Sequence, residues 1–181
     1  MRNLSLLVSK DMQKPETNEY DPYYGRYIGF VEHEDLLELL QRQNFQVSDV
    51  FGGFGEEKGS YRYAEGKWSV KEVLSHIIDG ERIFAYRVLR ISRGDTTPIE
   101  GFEQDGYIEN SHANERTFDN LIDEFKHLRD ANLILFRNLN DADWTRMGTA
   151  SEKEISVRAL AYIMAGHIQH HFNILNERYT S

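Results

Sequence analysis

The sequence contains no cysteine, and this absence removes several kinds of chemistry before any pattern is considered. Disulfides, thiolate nucleophiles, cysteine-based zinc fingers and iron–sulfur clusters all require that side chain. A metal site in this protein must therefore be built from histidine and carboxylate ligands.

Basic residues and long apolar runs are also scarce. The 181 residues include 21 Lys and Arg against 30 Asp and Glu, a formal net charge of -9, and no Lys/Arg-rich block. Because nucleic-acid binding requires a local surplus of positive charge, we expect no nucleic-acid partner. No apolar run reaches the roughly 18 residues of a membrane helix, and the N-terminal apolar patch is too short for a signal peptide. We therefore expect a cytoplasmic protein without a membrane partner.

Hydrophobic periodicity predicts four amphipathic helices and no strand. The helices begin near Asp35 and behind the capping residues Ser69, Thr117 and Ser156. No alternating pattern of four or more residues competes with them. With a long connection over residues 94–116 between the second and third helices, the pattern predicts an all-α four-helix bundle.

The beginning of the chain lacks this periodicity but is rich in aromatic residues. We expect residues 1–32 to form an N-terminal arm that packs on the bundle, and residues 33–181 to form a single four-helix bundle domain. The aromatic cluster of the arm comprises Tyr20, Tyr23, Tyr24, Tyr27 and Phe30.

Three of the seven histidines lie in the segment GHIQHH of the fourth predicted helix. At about 100° per residue, His167 and His171 lie about 40° apart in the middle of the apolar stripe, whereas His170 falls toward its edge. The two stacked imidazoles are either metal ligands or core histidines that hydrogen-bond to a neighbouring helix, unless one of them faces solvent. The segment differs from H-E-x-x-H because Ile168 occupies the position of the glutamate, so zinc-protease chemistry would lack its general base.

His76 is the best candidate for a third ligand from another helix. It lies at the margin of the apolar stripe of the second predicted helix, and Gly80, one turn later, leaves room for a close neighbour. The other histidines fit less well, since His127 falls off the apolar face and His33 and His112 lie in loops or helix starts. A set of three histidines leaves coordination positions open, which is typical of a catalytic metal site.

Glu81 occupies the middle of the same apolar stripe, where an unpaired carboxylate would be costly. We favour a buried ion pair with Arg129 or Arg87. The alternative is a role beside the metal, in which Glu81 orients a ligand or accepts a proton from metal-bound water. Asp79 is expected on the opposite, solvent-facing side of the helix and without a role.

The order of these motifs resembles the DinB-like superfamily, and within it the branch of YfiT-type metal-dependent hydrolases. The resemblance covers roughly residues 20–179 and is most specific at W-S-x-x-E-x-L-x-H, residues 68–76, and at G-H-x-x-H-H, residues 166–171. It implies a four-helix bundle with a divalent metal, typically nickel, zinc or iron. The three histidines of that family fall on His76, His167 and His171.

The resemblance also suggests what the protein does. Relatives include S-transferases and isomerases that depend on bacillithiol or mycothiol, and stress-associated proteins without an assigned reaction. The first hypothesis is therefore a metal-dependent thiol S-transferase or hydrolase, in which metal-bound water or thiol reacts with a small molecule and a low-molecular-weight thiol serves as cosubstrate. The second is a non-catalytic metal-binding protein of the stress or damage response, and the third is a metal-free interaction module. Relatives tend to pair, so we expect a homodimer.

Overall fold

Four long helices surround the main core, as the hydrophobic periodicity predicts. The computed structural model describes residues 13–32 and 35–180. The long helices are α2 (Leu36–Gly52), α3 (Val70–Ser92), α5 (Phe118–Arg137) and α7 (Val157–Arg178). Helices α3 and α7 pack on each other, α2 and α5 pack on each other, and α3 also contacts α5 while α2 contacts α7. The predicted four-helix bundle is confirmed.

Shorter elements connect and cover the long helices. The described part of the chain includes single-turn 3-10 helices at Pro22–Tyr24, Glu56–Lys58 and Ala113–Glu115. Within the described residues, no helix is both long and apolar enough to cross a membrane. The remaining elements are α1 (Gly25–Gly29), α4 (Gln104–Glu109), α6 (Asp141–Trp144), β1 (Met147–Ala150) and β2 (Lys153–Ser156).

Local capping chemistry determines where the long helices begin. The side chain of Ser69 accepts a hydrogen bond from the backbone N–H of Glu72, and the Glu72 carboxylate accepts one from the backbone N–H of Ser69. Asp35, Thr117 and Ser156 each accept a hydrogen bond from a backbone N–H in the first turn of their helix. These bonds satisfy donors that have no partner inside the helix. The predicted helix starts are confirmed.

The prediction that the chain contains no strand is wrong for one short hairpin. Strands β1 and β2 pair antiparallel over all four residues of each strand. Their turn places Ser151 and Glu152 at φ values of 52° and 64°, a left-handed conformation that favours glycine or asparagine. The hairpin therefore lacks the usual sequence signal. Ile99, in the long connection, stabilises β1 by accepting from the backbone N–H of Ser151 and donating to the carbonyl of Thr149, both at 2.9 Å.

A buried ion pair connects α3 with α5. Arg129 donates two 2.7 Å hydrogen bonds, from Nε and Nη2, to the two carboxylate oxygens of Glu81. The side chains are 0% and 1% exposed, and Asn132 donates a further 2.8 Å bond to Glu81. Of the two arginines predicted as partners, Arg129 is correct. Arg87 is not, because it donates to the hydroxyl of Ser151 instead.

The same arginine extends the hydrogen bonding to the other two long helices. Arg129 Nη1 donates to the carbonyl of Leu40 on α2 at 2.9 Å, and more weakly to the side-chain oxygen of Gln43 at 3.5 Å. The amide nitrogen of Gln43 in turn donates to the carbonyl of Ala165 on α7 at 2.8 Å. One continuous, buried network therefore contacts all four helices of the bundle.

The segment around α1 packs against α7. The two backbones come closest at Gly166, where a Cβ atom would lie only 1.9 Å from the carbonyl oxygen of Tyr27. Arg158 of α7 donates from Nε to the carboxylate of Glu19 at 2.7 Å. The first 12 residues of the predicted arm lie outside the described residues. The division of the chain at residue 32 stays a prediction.

Replacing Arg129 with methionine would leave the Glu81 carboxylate buried without its positive partner. We expect Arg129→Met to lower the free energy of unfolding by about 3–5 kcal/mol, the usual cost of breaking a buried pair on one side. Urea unfolding followed by circular dichroism measures this change. The control Arg116→Met removes the more exposed pair with Glu124 and should cost about 1 kcal/mol or less. Equally small losses in the two variants would contradict the importance of the buried pair.

Candidate metal centre

Helices α3 and α7 bring the three predicted ligands together in the core. His76 lies on α3, and His167 and His171 lie one turn apart on α7, with exposures of 5%, 7% and 7%. Gly80 makes this approach possible, because a Cβ atom there would lie 3.2 Å from Cε1 of His167. The predicted room beside Gly80 is therefore used by an imidazole ring.

The three rings converge on their Nε2 atoms. His167 Nε2 lies 2.9 Å from His76 Nε2 and 3.1 Å from His171 Nε2. One nitrogen from each ring falls within 4.8 Å of the other two. Two imidazole nitrogens bound to one ion at about 2.1 Å, in neighbouring coordination positions, lie about 3.0–3.4 Å apart. The two separations from His167 Nε2 are close to those that a single divalent ion requires.

Hydrogen bonding alone cannot satisfy this arrangement. A neutral imidazole nitrogen carries either one hydrogen or one lone pair. His167 Nε2 faces two other Nε2 atoms, so it can form a good hydrogen bond with only one of them. A cation that accepts a lone pair from each ring would satisfy all three nitrogens at once. The donor set therefore fits a metal ion better than it fits a metal-free core.

Burial keeps these rings neutral. It lowers the pKa of His76 to about 4, with a smaller contribution from the charge of His170. The pKa values of His167 and His171 fall well below their usual value, mainly because of burial and then because of the neighbouring histidines. Neutral imidazole is the form that binds metal, so the site does not need to lose protons near pH 7 before an ion can enter.

Aromatic side chains frame the histidines. The ring of Trp68 lies 4.7 Å from that of His76, and the rings of Tyr27 and Phe84 lie 5.6 Å and 5.8 Å from that of His167, between centroids. Sequence reasoning assigned none of these three side chains to the site. Tyr27 reaches the site through the packing of α1 on α7. The aromatic cluster predicts an arm that packs on the bundle, but it does not indicate which helix the arm contacts. Trp68 directly precedes the cap of α3, and its place in the W-S motif is the feature that could have identified it.

The other histidines lie outside the cluster. His170 is partly exposed, and its ring stacks on Phe30 at a centroid distance of 6.2 Å. His127 is exposed, and its Nδ1 lies 2.6 Å from the carbonyl oxygen of Asp123. His112 is exposed in the long connection. His33, which sequence reasoning set aside, lies outside the described residues.

Glu81 and Asp79, two acidic residues of α3, behave differently from each other. The carboxylate of Glu81 is engaged by Arg129 and Asn132, which favours the structural role over one beside the metal. The prediction that Asp79 faces solvent is wrong. It is half-buried in an open cavity of about 670 Å³ between α3, α4 and α5, and burial raises its pKa. The reason is that the long connection, with α4, folds over this side of α3.

The chain belongs to the DinB superfamily, whose sequence profile matches residues 32–175. The predicted family resemblance is thus confirmed. No curated protein matches the sequence significantly.

Solved structures that are similar to this one include the following two. The first is YfiT from Bacillus subtilis, described as a probable metal-dependent hydrolase with an unusual four-helix bundle topology. It is 16% identical with a TM-score of 0.73, over 91% of this chain and 90% of that chain. The second is the mycothiol-dependent maleylpyruvate isomerase, 13% identical with a TM-score of 0.65, over 81% of this chain and 61% of that chain. At these sequence identities, the structural similarity establishes the fold alone.

Proposed function

We propose that the protein holds one divalent transition-metal ion between His76, His167 and His171. We further propose that it acts on a small molecule as a metal-dependent hydrolase or thiol S-transferase. The observation that carries the proposal is the convergence of three buried, neutral Nε2 atoms that hydrogen bonds cannot satisfy together. Imidazole suits nickel, zinc and iron, so the donor set does not select among them.

The composition of the site determines what chemistry it could support. A divalent ion held by three neutral imidazoles lowers the pKa of a water or thiol in its open position toward neutrality. Because the chain has no cysteine, the sulfur of a thiol transfer would come from a low-molecular-weight cosubstrate. The rings of Trp68, Tyr27 and Phe84 limit the access of bulk water, which strengthens electrostatic interactions inside the site.

A non-catalytic metal-binding protein of the stress or damage response is the second candidate. It is favoured by one observation: in the described part of the chain, the histidine cluster contains no carboxylate that could act as a general base. The net charge of -9 supports a small-molecule partner over a nucleic acid in both cases. A homodimer and a cytoplasmic location stay predictions.

Metal content tests the ligand set directly. We expect untagged, dialysed protein to retain about one equivalent of transition metal, and a chelator to lower its thermal midpoint. His167→Ala should lose the metal, because the Nε2 of His167 lies nearest to both other nitrogens. Elemental analysis measures the occupancy, and His127→Ala, at an exposed histidine, is the matched control that keeps it. Less than about 0.2 equivalents in the wild type, with unchanged stability in chelator, would contradict the metal site.

A reaction screen separates the catalytic proposal from the non-catalytic one. Metal-loaded protein is assayed with simple esters, and with electrophiles in the presence of bacillithiol, mycothiol or glutathione. We expect turnover that stops in chelator and falls more than about a hundredfold in His76→Ala, because the ion that activates water or thiol is lost. The control His127→Ala should keep its activity. Full metal occupancy without turnover on any of these substrates would favour the second candidate.

A further inference from the structure

Within the part of the chain that the structure describes, Arg26 lies beside the histidine cluster and has no acidic partner. The guanidinium carbon of Arg26 lies 4.2 Å from the ring centroid of Tyr23 and 4.6 Å from that of Tyr27. Its Nη2 donates to the hydroxyls of both tyrosines, at 2.8 Å in the case of Tyr27. Over residues 13–32 and 35–180, no carboxylate forms an ion pair with Arg26. Arg158, which anchors the same segment to the bundle, does pair with a carboxylate, that of Glu19.

The two tyrosine hydroxyls add donors to this positive charge. A guanidinium has only donors, so each hydroxyl accepts from Arg26 and keeps its own hydrogen for another acceptor. Even if one hydroxyl donates to the other, the second hydrogen stays free. Arg26, Tyr23 and Tyr27 thus bring a cation and at least one O–H donor within hydrogen-bonding distance of each other, and an oxyanion requires donors of this kind.

The packing of α1 fixes this group next to the candidate metal centre. The ring of Tyr27 lies 5.6 Å from that of His167 and 5.4 Å from that of His170, between centroids. The backbone of Tyr27 contacts Gly166 so closely that a Cβ atom on residue 166 would not fit. This contact fixes the position of α1 along α7. An anion bound by Arg26 would therefore lie close to a group reacting at the histidines.

We propose that Arg26, Tyr23 and Tyr27 bind a carboxylate of the substrate or of the thiol cosubstrate that reacts at the histidine cluster. The identity of the ligand rests on the proposed function, whereas the donor arrangement does not. The planar guanidinium matches the two oxygens of a carboxylate, and a charge-assisted bond of this kind raises affinity about tenfold or more. The competing explanation is that Arg26 only stacks on the two rings and stabilises α1.

Thiol binding to the cobalt-loaded protein distinguishes these explanations. Absorption due to cobalt–sulfur bonding is followed during titration with 3-mercaptopropionate, which carries a carboxylate, and with 2-mercaptoethanol, which does not. The ratio of the two affinities is compared between proteins, so differences between the free thiols cancel. We expect Arg26→Gln to reduce this ratio about tenfold while 2-mercaptoethanol binds as before. Tyr23→Phe, which keeps the ring under the guanidinium, should reduce it severalfold.

The control is Arg93→Gln, which removes the same charge from an exposed position at the end of α3. It should keep the wild-type ratio. An unchanged ratio in Arg26→Gln would overturn the proposal and leave Arg26 with a structural role. A fall of the same size in Arg93→Gln would overturn it too, because the effect would then come from net charge alone.

If no thiol binds the cobalt-loaded protein, a separate measurement tests the proposed carboxylate site at Arg26. In that case the thiol form of the proposed function fails, and acetate is titrated into chelator-treated protein while the side-chain NMR signals of Arg26, Tyr23 and Tyr27 are recorded. Saturable shifts that vanish in Arg26→Gln would support the carboxylate site without any metal chemistry. The absence of saturable shifts would overturn it.

Discussion

The buried pair between Glu81 and Arg129 is the interaction on which the arrangement of the bundle depends. Two charges removed from water are tolerable only with good geometry and full hydrogen bonding, and here both carboxylate oxygens and the guanidinium are engaged. The pair fixes α3 relative to α5 five residues after His76. Through Gln43 the same network reaches the carbonyl of Ala165, two residues before His167. These directional hydrogen bonds hold α3 and α7 in one relative position, and this position sets the distance between the proposed ligands.

The distances between the histidine rings determine how their nitrogen atoms can be satisfied. Three imidazoles held at 2.9 Å and 3.1 Å in a buried environment stay neutral and cannot all be satisfied by one another. Trp68 and Phe84 make the surroundings of the cluster aromatic on one side. On the other side, the guanidinium of Arg26 stacks on Tyr27, and no carboxylate among the described residues pairs with it. These features underlie our two proposals, that a small substrate reacts at the histidines and that its carboxylate binds at Arg26.

Features encoded by neighbouring residues could be predicted from the sequence, and features that depend on distant contacts could not. The helix starts at Ser69, Thr117 and Ser156 follow from side chains that bond within one turn. The convergence of His167 and His171 follows from helical spacing alone. By contrast, the burial of Asp79 depends on how residues 94–116 fold over α3. The β-hairpin was missed because its left-handed turn contains no glycine or asparagine, and Tyr27 because it reaches the site through the packing of α1 on α7.

A crystal structure of the metal-loaded protein with anomalous diffraction data would locate the ion. We expect one anomalous peak inside the bundle, about 2.0–2.2 Å from the Nε2 atoms of His76, His167 and His171. A fully loaded crystal without a peak between these three nitrogens would contradict it. So would an ion bound instead in the cavity beside Asp79.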